Sequence, residues 1–154
     1  MIDNKSIALG DQKLANALQG HVLNTGGLVI SATTTLAKIA NTIRYMLNGN
    51  LYSKTTVDCA AISGTIATGY KNVVVFYIDD DGTMGSVMGT AATTVAGITF
   101  PAVPDNVAVI GFIIIENATG SNFVGGTTAL NTGSLTVTYV DTPFPVHFSG
   151  VKNY

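Results

Sequence analysis

Residues 79–81 are three consecutive aspartates, and Gly82 follows them directly. Carboxylates followed by a glycine are typical of an EF-hand calcium loop, in which the glycine occupies the sixth of twelve positions. Placing Gly82 at that position puts Tyr77 at the first position and Met88 at the twelfth, and neither side chain carries the carboxylate that those positions need. The pattern therefore favours a charged hairpin tip over a calcium site.

Other side chains that catalyse reactions are few and far apart. His21 and His147 lie 126 positions apart, Cys59 is the only cysteine, and Glu116 is the only glutamate. A paired-glutamate glycosidase site is excluded, and neither a G-x-S-x-G nucleophile motif nor a glycine-rich phosphate-binding motif occurs. We predict a non-enzymatic protein with no catalytic residue, no cofactor and no metal ion. The alternative of another class is a small hydrolase or isomerase with its site in a cleft between subunits.

Charged residues are scarce, since seven basic and nine acidic residues make up 10% of the chain against roughly 25% in an average globular protein. Arg44 is the only arginine and the net charge is −2, which argues against nucleic acid and membrane partners because both need clustered cations. The longest apolar run, residues 107–115, has nine residues, well short of the roughly 20 that span a bilayer. With a mean hydropathy of +0.41, such a chain must cover its apolar surface in a core or against other subunits. We therefore predict a homo-oligomer.

The first 30 residues differ from the rest of the chain. Asp11 is a suitable N-cap for a short helix that Gly20 ends, with Leu14 and Leu18 on one face. A helix of this length is too short to be stable alone. We therefore expect the segment either to bind a partner or to pack on its own domain as an ordinary terminal helix.

The difference between the first 30 residues and the rest divides the chain into three predicted parts. Gly26-Gly27 separates the opening segment from the β-forming residues after it. We predict an N-terminal arm (1–30), a β-domain (31–141) and a C-terminal tail (142–154). The arm's candidate attachment contacts are Leu14, Leu18, Val22 and Leu23.

Asn48-Gly49 is the strongest turn signal in the chain, because both residues accept the positive φ of a type I′ hairpin. A helix competes for the same segment, since five apolar residues have helical spacing: Leu36, Ile39, Ala40, Ile43 and Leu47. The alternation of Ile43, Tyr45 and Leu47 favours the hairpin, because tyrosine and β-branched residues prefer strands.

Three further segments predict strands. Residues 73–78 (VVVFYI) and 83–90 flank Asp80-Asp81-Gly82 as a second hairpin, residues 107–115 predict a strand buried on both faces, and residues 135–140 (LTVTYV) alternate. Turn signals recur about every 8–12 residues, which is typical of all-β domains. The predicted fold class is mainly β, an antiparallel β-sandwich or barrel with hairpins plus a short N-terminal arm or helix.

Three further segments carry a resemblance when they are taken in order. Residues 45–54 (YMLNGNLYSK) resemble a hairpin of the pattern nGvlYsK, and residues 100–112 (FPAVPDNVAVIGF) are similar to the segment lPalP…vaiGyv. Residues 123–131, followed by residues 135–141, resemble the ending F..GtTaL…vt.tYvd. All three patterns belong to structural proteins of tailed-bacteriophage virions, which this chain resembles.

This resemblance implies a head decoration (cement) protein, which is β-rich, non-enzymatic, often trimeric and located on the capsid surface of the virion. Its partners would be further copies of itself and the major capsid protein. A tail, baseplate or head-fibre component that contacts a host receptor or glycan is the alternative.

Overall fold

The computed structural model describes residues 20–143, which form an antiparallel, mainly β fold without an α-helix. The predicted helix at 11–19, with Leu14 and Leu18, and the chain after residue 143 lie outside the described residues. The elements are β1 (His21–Val22), β2 (Leu28–Ile30), β3 (Ala37–Ile39), β4 (Ile43–Leu47), β5 (Asn50–Lys54), β6 (Val57–Asp58), β7 (Thr65–Ile66), β8 (Lys71–Ile78), β9 (Met84–Met88), a 3₁₀ turn (Val95–Gly97), β10 (Ala108–Asn117), β11 (Phe123–Val124) and β12 (Leu135–Asp141).

The largest sheet has four strands in the order β12-β10-β8-β9. Its central strands β8 and β10 are the two longest and are rich in valine and isoleucine, which pack well on a pleated surface. Val75 pairs with Phe112, and a β-bulge lies between Val109 and Gly111. The other sheets have the orders β1-β4-β5, β2-β3-β6 and β11-β7.

The first predicted hairpin is confirmed and the competing helix is wrong. β4 pairs with β5 through Asn48 at φ 49° and Gly49 at φ 78°, the positive values that a type I′ turn requires. Ile43, Tyr45 and Leu47 all point into the core. The helical spacing in this segment arises because strands on both sides of the turn at residues 40–42 contribute apolar residues to one core.

The second predicted hairpin, β8–β9, is also confirmed. At its tip the Asp79 carboxylate accepts a hydrogen bond from the Thr83 amide at 2.8 Å, and Gly82 has a φ of 78°. Asp79 therefore stabilises its own turn, as an aspartate in a turn commonly does.

The main core lies between one face of the four-stranded sheet and the three smaller sheets, as in a sandwich. It contains Ile39, Tyr45, Ile66, Phe76, Ile113 and Phe123, all of them 0–1% exposed. On the opposite face of the large sheet, a smaller cluster of Val73, Val75 and Val109 is covered by Ile98, Phe100 and Val103.

The prediction that residues 107–115 are buried on both faces holds only in part. Residues 108–111 are buried, but from Phe112 onward burial alternates along β10. The covering segment ends there, with Phe100 packed edge-on against the Phe112 ring at 4.9 Å between centroids. Ile114 and Glu116 lie beyond this cover and are half-exposed.

The predicted boundary at residue 30 moves toward the N-terminus. Residues 21–22 pair with β4, and residues 28–30 pair with β3. Gly26 is buried, and the Gly26 and Gly27 carbonyls accept hydrogen bonds from the Asn41 and Ala40 amides, so Gly26-Gly27 is paired inside the fold and is not a linker. Such short strands are stabilised by distant partners in the sequence, which local composition does not reveal.

Candidate interaction surface

The titratable side chains of the described residues were candidates for a metal site and for a nucleophile. Between residues 20 and 143 no cluster of three or more His, Cys, Asp or Glu side chains could hold a metal ion. Cys59 is buried, and burial together with the neighbouring Asp58 carboxylate raises the pKa of its thiol to about 12. A thiol with so high a pKa is a poor nucleophile at neutral pH. His147 lies outside the described residues.

The outer face of the β1-β4-β5 sheet carries two of the exposed large hydrophobic side chains, Leu23 and Leu51. Directly paired residues of antiparallel strands share a face, so His21, Met46 and Leu51 form one row. Leu23, whose amide donates to the Arg44 carbonyl at 2.7 Å, extends the ladder, and Arg44 pairs with Ser53 in a second row. We call these six residues the outer face: His21, Leu23, Arg44, Met46, Leu51 and Ser53.

Exposure identifies the side chains that a partner would contact on the outer face. Leu51 is 63% exposed and Leu23 49% exposed, while Met46 between them is half-buried. Arg44, also exposed, adds the only arginine of the chain to this apolar group. Arginine and methionine are enriched at protein interfaces. Arg44 and Met46 therefore fit an interface in which the two exposed leucines also take part.

The opposite face of the same sheet holds it rigidly on the core. The rings of Tyr45 and Tyr52 stack at 5.4 Å between centroids. The Tyr45 hydroxyl donates to the Asp79 carbonyl at 3.1 Å, which ties this sheet to the tip of the β8–β9 hairpin. Burial and the Asp79 carboxylate raise the pKa of Tyr45, which favours the protonated hydroxyl that donates this bond. The outer face is therefore presented on a fixed platform.

Two of the four predicted attachment contacts, Val22 and Leu23, lie in the described residues, and they lie on opposite sides of the sheet. Val22 is 1% exposed and packs in the main core, where no external partner can reach it. Leu23 is the next residue and lies on the outer face, because successive side chains of a strand point to opposite faces. Met46 and Leu51 were not predicted from the sequence. The register of the Asn48-Gly49 hairpin could have placed them opposite each other, whereas their position beside Leu23 depends on the pairing of β1 with β4.

A shallow depression lies on another part of the molecule, at the ends of β8 and β10. Gly69, Tyr70, Lys71, Glu116, Asn117 and Ala118 line a volume of about 140 Å³. Lys71 forms an ion pair with Glu116, and the neighbouring Tyr70 is 42% exposed. An exposed aromatic ring beside hydrogen-bonding groups can stack on an apolar ligand face while the polar groups orient it.

Comparison with protein families, with curated proteins and with solved structures found no match to this chain. Among residues 20–143 no helix has the length and apolar character needed to cross a membrane.

Proposed function

We propose that the protein is a non-enzymatic structural component of a tailed-phage virion, a decoration protein that binds the capsid surface as a homo-oligomer. The observation that carries the proposal is the outer face, with Leu23 and Leu51 exposed on a rigid β-fold. Residues 45–54, which carry part of the resemblance to virion proteins, form the hairpin that presents Met46 and Leu51. The trimeric state and the major capsid protein as partner come from that resemblance.

Attachment through the outer face would act by burying apolar side chains against the capsid and would involve no chemical reaction. Burying a leucine or methionine side chain contributes about 1.5–3 kcal/mol before the costs of association. Three such side chains give only a modest affinity for one subunit. Symmetric copies bound to a repeating shell raise the overall affinity through effective concentration, so a modest single contact suffices. The added interface area would then resist separation of neighbouring capsid subunits.

Replacing Leu51 with aspartate tests the proposal. The side chain is 63% exposed, so the substitution should leave folding stability within about 0.5 kcal/mol while placing an unpaired charge in the contact. We expect Leu51→Asp to abolish co-sedimentation with capsids that lack the protein. Val124→Asp is the matched control, since Val124 is 42% exposed on β11, in a different sheet.

Capsid binding that survives Leu51→Asp would contradict the attachment proposal. Equal loss in both aspartate variants would contradict it too, because the effect would then be one of added charge and not of the outer face.

The depression beside Tyr70 favours a second candidate function, a tail, baseplate or head-fibre protein that binds a host glycan. The Tyr70 ring would stack on a sugar, while the Lys71 ammonium donates hydrogen bonds to its hydroxyl groups and the Glu116 carboxylate accepts them. Binding on a glycan array that Tyr70→Ala removes and Leu51→Asp preserves would favour this candidate. No binding to any glycan would leave the decoration proposal as the better account.

A further inference from the structure

β12 is the longest strand at the edge of any sheet in the described part of the chain. It has seven residues, against five each for the edge strands β5 and β9. Residues 135–140 contain no charge, no proline and no bulge. These are the devices by which proteins prevent edge strands from pairing with other chains. The only charge of β12 is Asp141 at its end, as β5 ends in Lys54.

The hydrogen bonds at both ends of β12 define which backbone groups face outward. The Thr142 amide donates to the Ile110 carbonyl at 3.1 Å, and the Ala118 amide donates to the Ser134 carbonyl at 3.2 Å. Because bonded and non-bonded pairs alternate in antiparallel strands, the even-numbered residues of β12 bond to β10. The N–H and C=O groups of Val137 and Tyr139 point away from the sheet. Neither residue has a hydrogen bond to any side chain or backbone group on that outward side within the described residues.

The side chains along this edge are also incompletely covered. Leu135, Val137 and Tyr139 pack against the main core, yet all three remain half-exposed. Within residues 20–143 the Asp141 end is flanked by β2, where the Leu28 amide donates to the Asp141 carboxylate at 3.1 Å. The centre of β12 therefore presents unpaired backbone groups and partly exposed core side chains together.

We propose that β12 pairs antiparallel with β12 of a second copy, across a two-fold axis at Thr138. In this register Val137 lies opposite Tyr139 of the second copy, and the two residues exchange both backbone hydrogen bonds. Val137 and Tyr139 form the two hydrogen-bonded pairs at the axis, and Asp141 lies opposite Leu135, so no like charges meet. The Leu135 amide already donates to the Thr132 carbonyl at 2.9 Å, and it adds no hydrogen bond between the copies. The product is a continuous eight-stranded sheet, because an isologous interface joins the same edge of both subunits.

This inference does not rest on the proposed function. A two-fold interface requires an even number of subunits. A three-fold contact of the kind that the resemblance implies coexists with it in a hexamer. Measured mass therefore separates a dimer or hexamer, which fit the pairing, from an isolated trimer, which does not.

Cysteine substitution tests the register directly. Thr138→Cys places two thiols opposite each other at a non-hydrogen-bonded pair, where Cβ atoms lie about 4.5–5.5 Å apart. Because Thr138 is exposed, the variant should fold, and buried Cys59 does not compete. We expect a disulfide-linked dimer on mild oxidation. Thr136→Cys is the matched control, since the same pairing separates its two copies by about 13 Å along the strands, and it should stay monomeric on a non-reducing gel.

Hydrogen exchange and a charge substitution supply the second readout. The amides of Val137 and Tyr139 should exchange slowly in the wild type, although neither has a partner among residues 20–143 of its own chain. Thr138→Lys should make both amides exchange quickly and raise the concentration for half-dissociation about tenfold or more, because two lysines then meet at the axis. Fast exchange in the wild type, or equal cross-linking of both cysteine variants, would overturn the proposal.

Discussion

Adding one methyl group at Gly111 should separate β12 from β10. A Cβ at this position would lie 2.4 Å from the Val140 carbonyl oxygen and 3.3 Å from the Asp141 Cα. Both are backbone atoms, so β12 has to move away. Overpacking costs about 1–3 kcal/mol, and each weakened backbone hydrogen bond adds about 0.5–1.5 kcal/mol. We expect Gly111→Ala to lower the free energy of unfolding by about 2–5 kcal/mol.

The same glycine-to-alanine change at two other positions serves as a control for effects other than this steric clash. A Cβ at Gly133 meets no atom within 4 Å and the residue has no positive φ, so Gly133→Ala should change stability by less than about 0.5 kcal/mol. Gly49 has the same open space but a φ of 78°, so Gly49→Ala should cost about 1–2 kcal/mol from backbone strain alone.

Urea denaturation of the three variants at one protein concentration measures these differences from the midpoint and the slope. A Gly111→Ala protein as stable as Gly133→Ala would refute the placement of β12 against β10, and with it the register from which the outward groups of Val137 and Tyr139 are deduced.

Three further outcomes follow from buried and paired groups. The pKa of the Cys59 thiol rises from 9.0 to about 12 on folding. Its contribution to the free energy of unfolding is therefore fully present below pH 9 and is lost as pH rises toward 12, by at most about 4 kcal/mol. In that window the free energy of unfolding of Cys59→Ala should fall less steeply with pH than that of the wild type, by the equivalent of one proton. Tyr45→Phe removes the hydrogen bond to the Asp79 carbonyl and should cost about 0.5–1.5 kcal/mol in thermal or urea unfolding, so an unchanged midpoint would contradict the inter-sheet contact. Lys71→Met breaks the half-exposed pair with Glu116 and should change stability by less than about 1 kcal/mol, whereas a larger loss in urea unfolding would mean that the pair is effectively buried.

Local signals in the sequence identified the hairpins but not their neighbours. The type I′ turn at Asn48-Gly49 and the aspartate tip before Gly82 depend on the φ preferences of a few residues. Those preferences follow from residue type, so the turns can be predicted from the sequence. The order β12-β10-β8-β9 depends instead on contacts between residues far apart in the chain. Alternation therefore predicted a strand at residues 135–140 without indicating that it is an edge.

The candidate surface was only partly predictable for the same reason. Leu23 could be identified as an apolar residue near the start of the chain, but its burial depends on pairing with β4. Val22 and Leu23 look equivalent in the sequence, and only the strand direction assigns one to the core and the other to the surface. Met46 and Leu51 join Leu23 once the register is known.

The proposed function places this chain in the virion of a tailed phage, so purified virions provide its most direct test. Antibody against the protein, with gold labels viewed by electron microscopy, should mark the whole head surface, and quantitative mass spectrometry should find the chain in a fixed ratio to the major capsid protein. Absence of the chain from purified virions, or gold confined to the tail, would contradict the account.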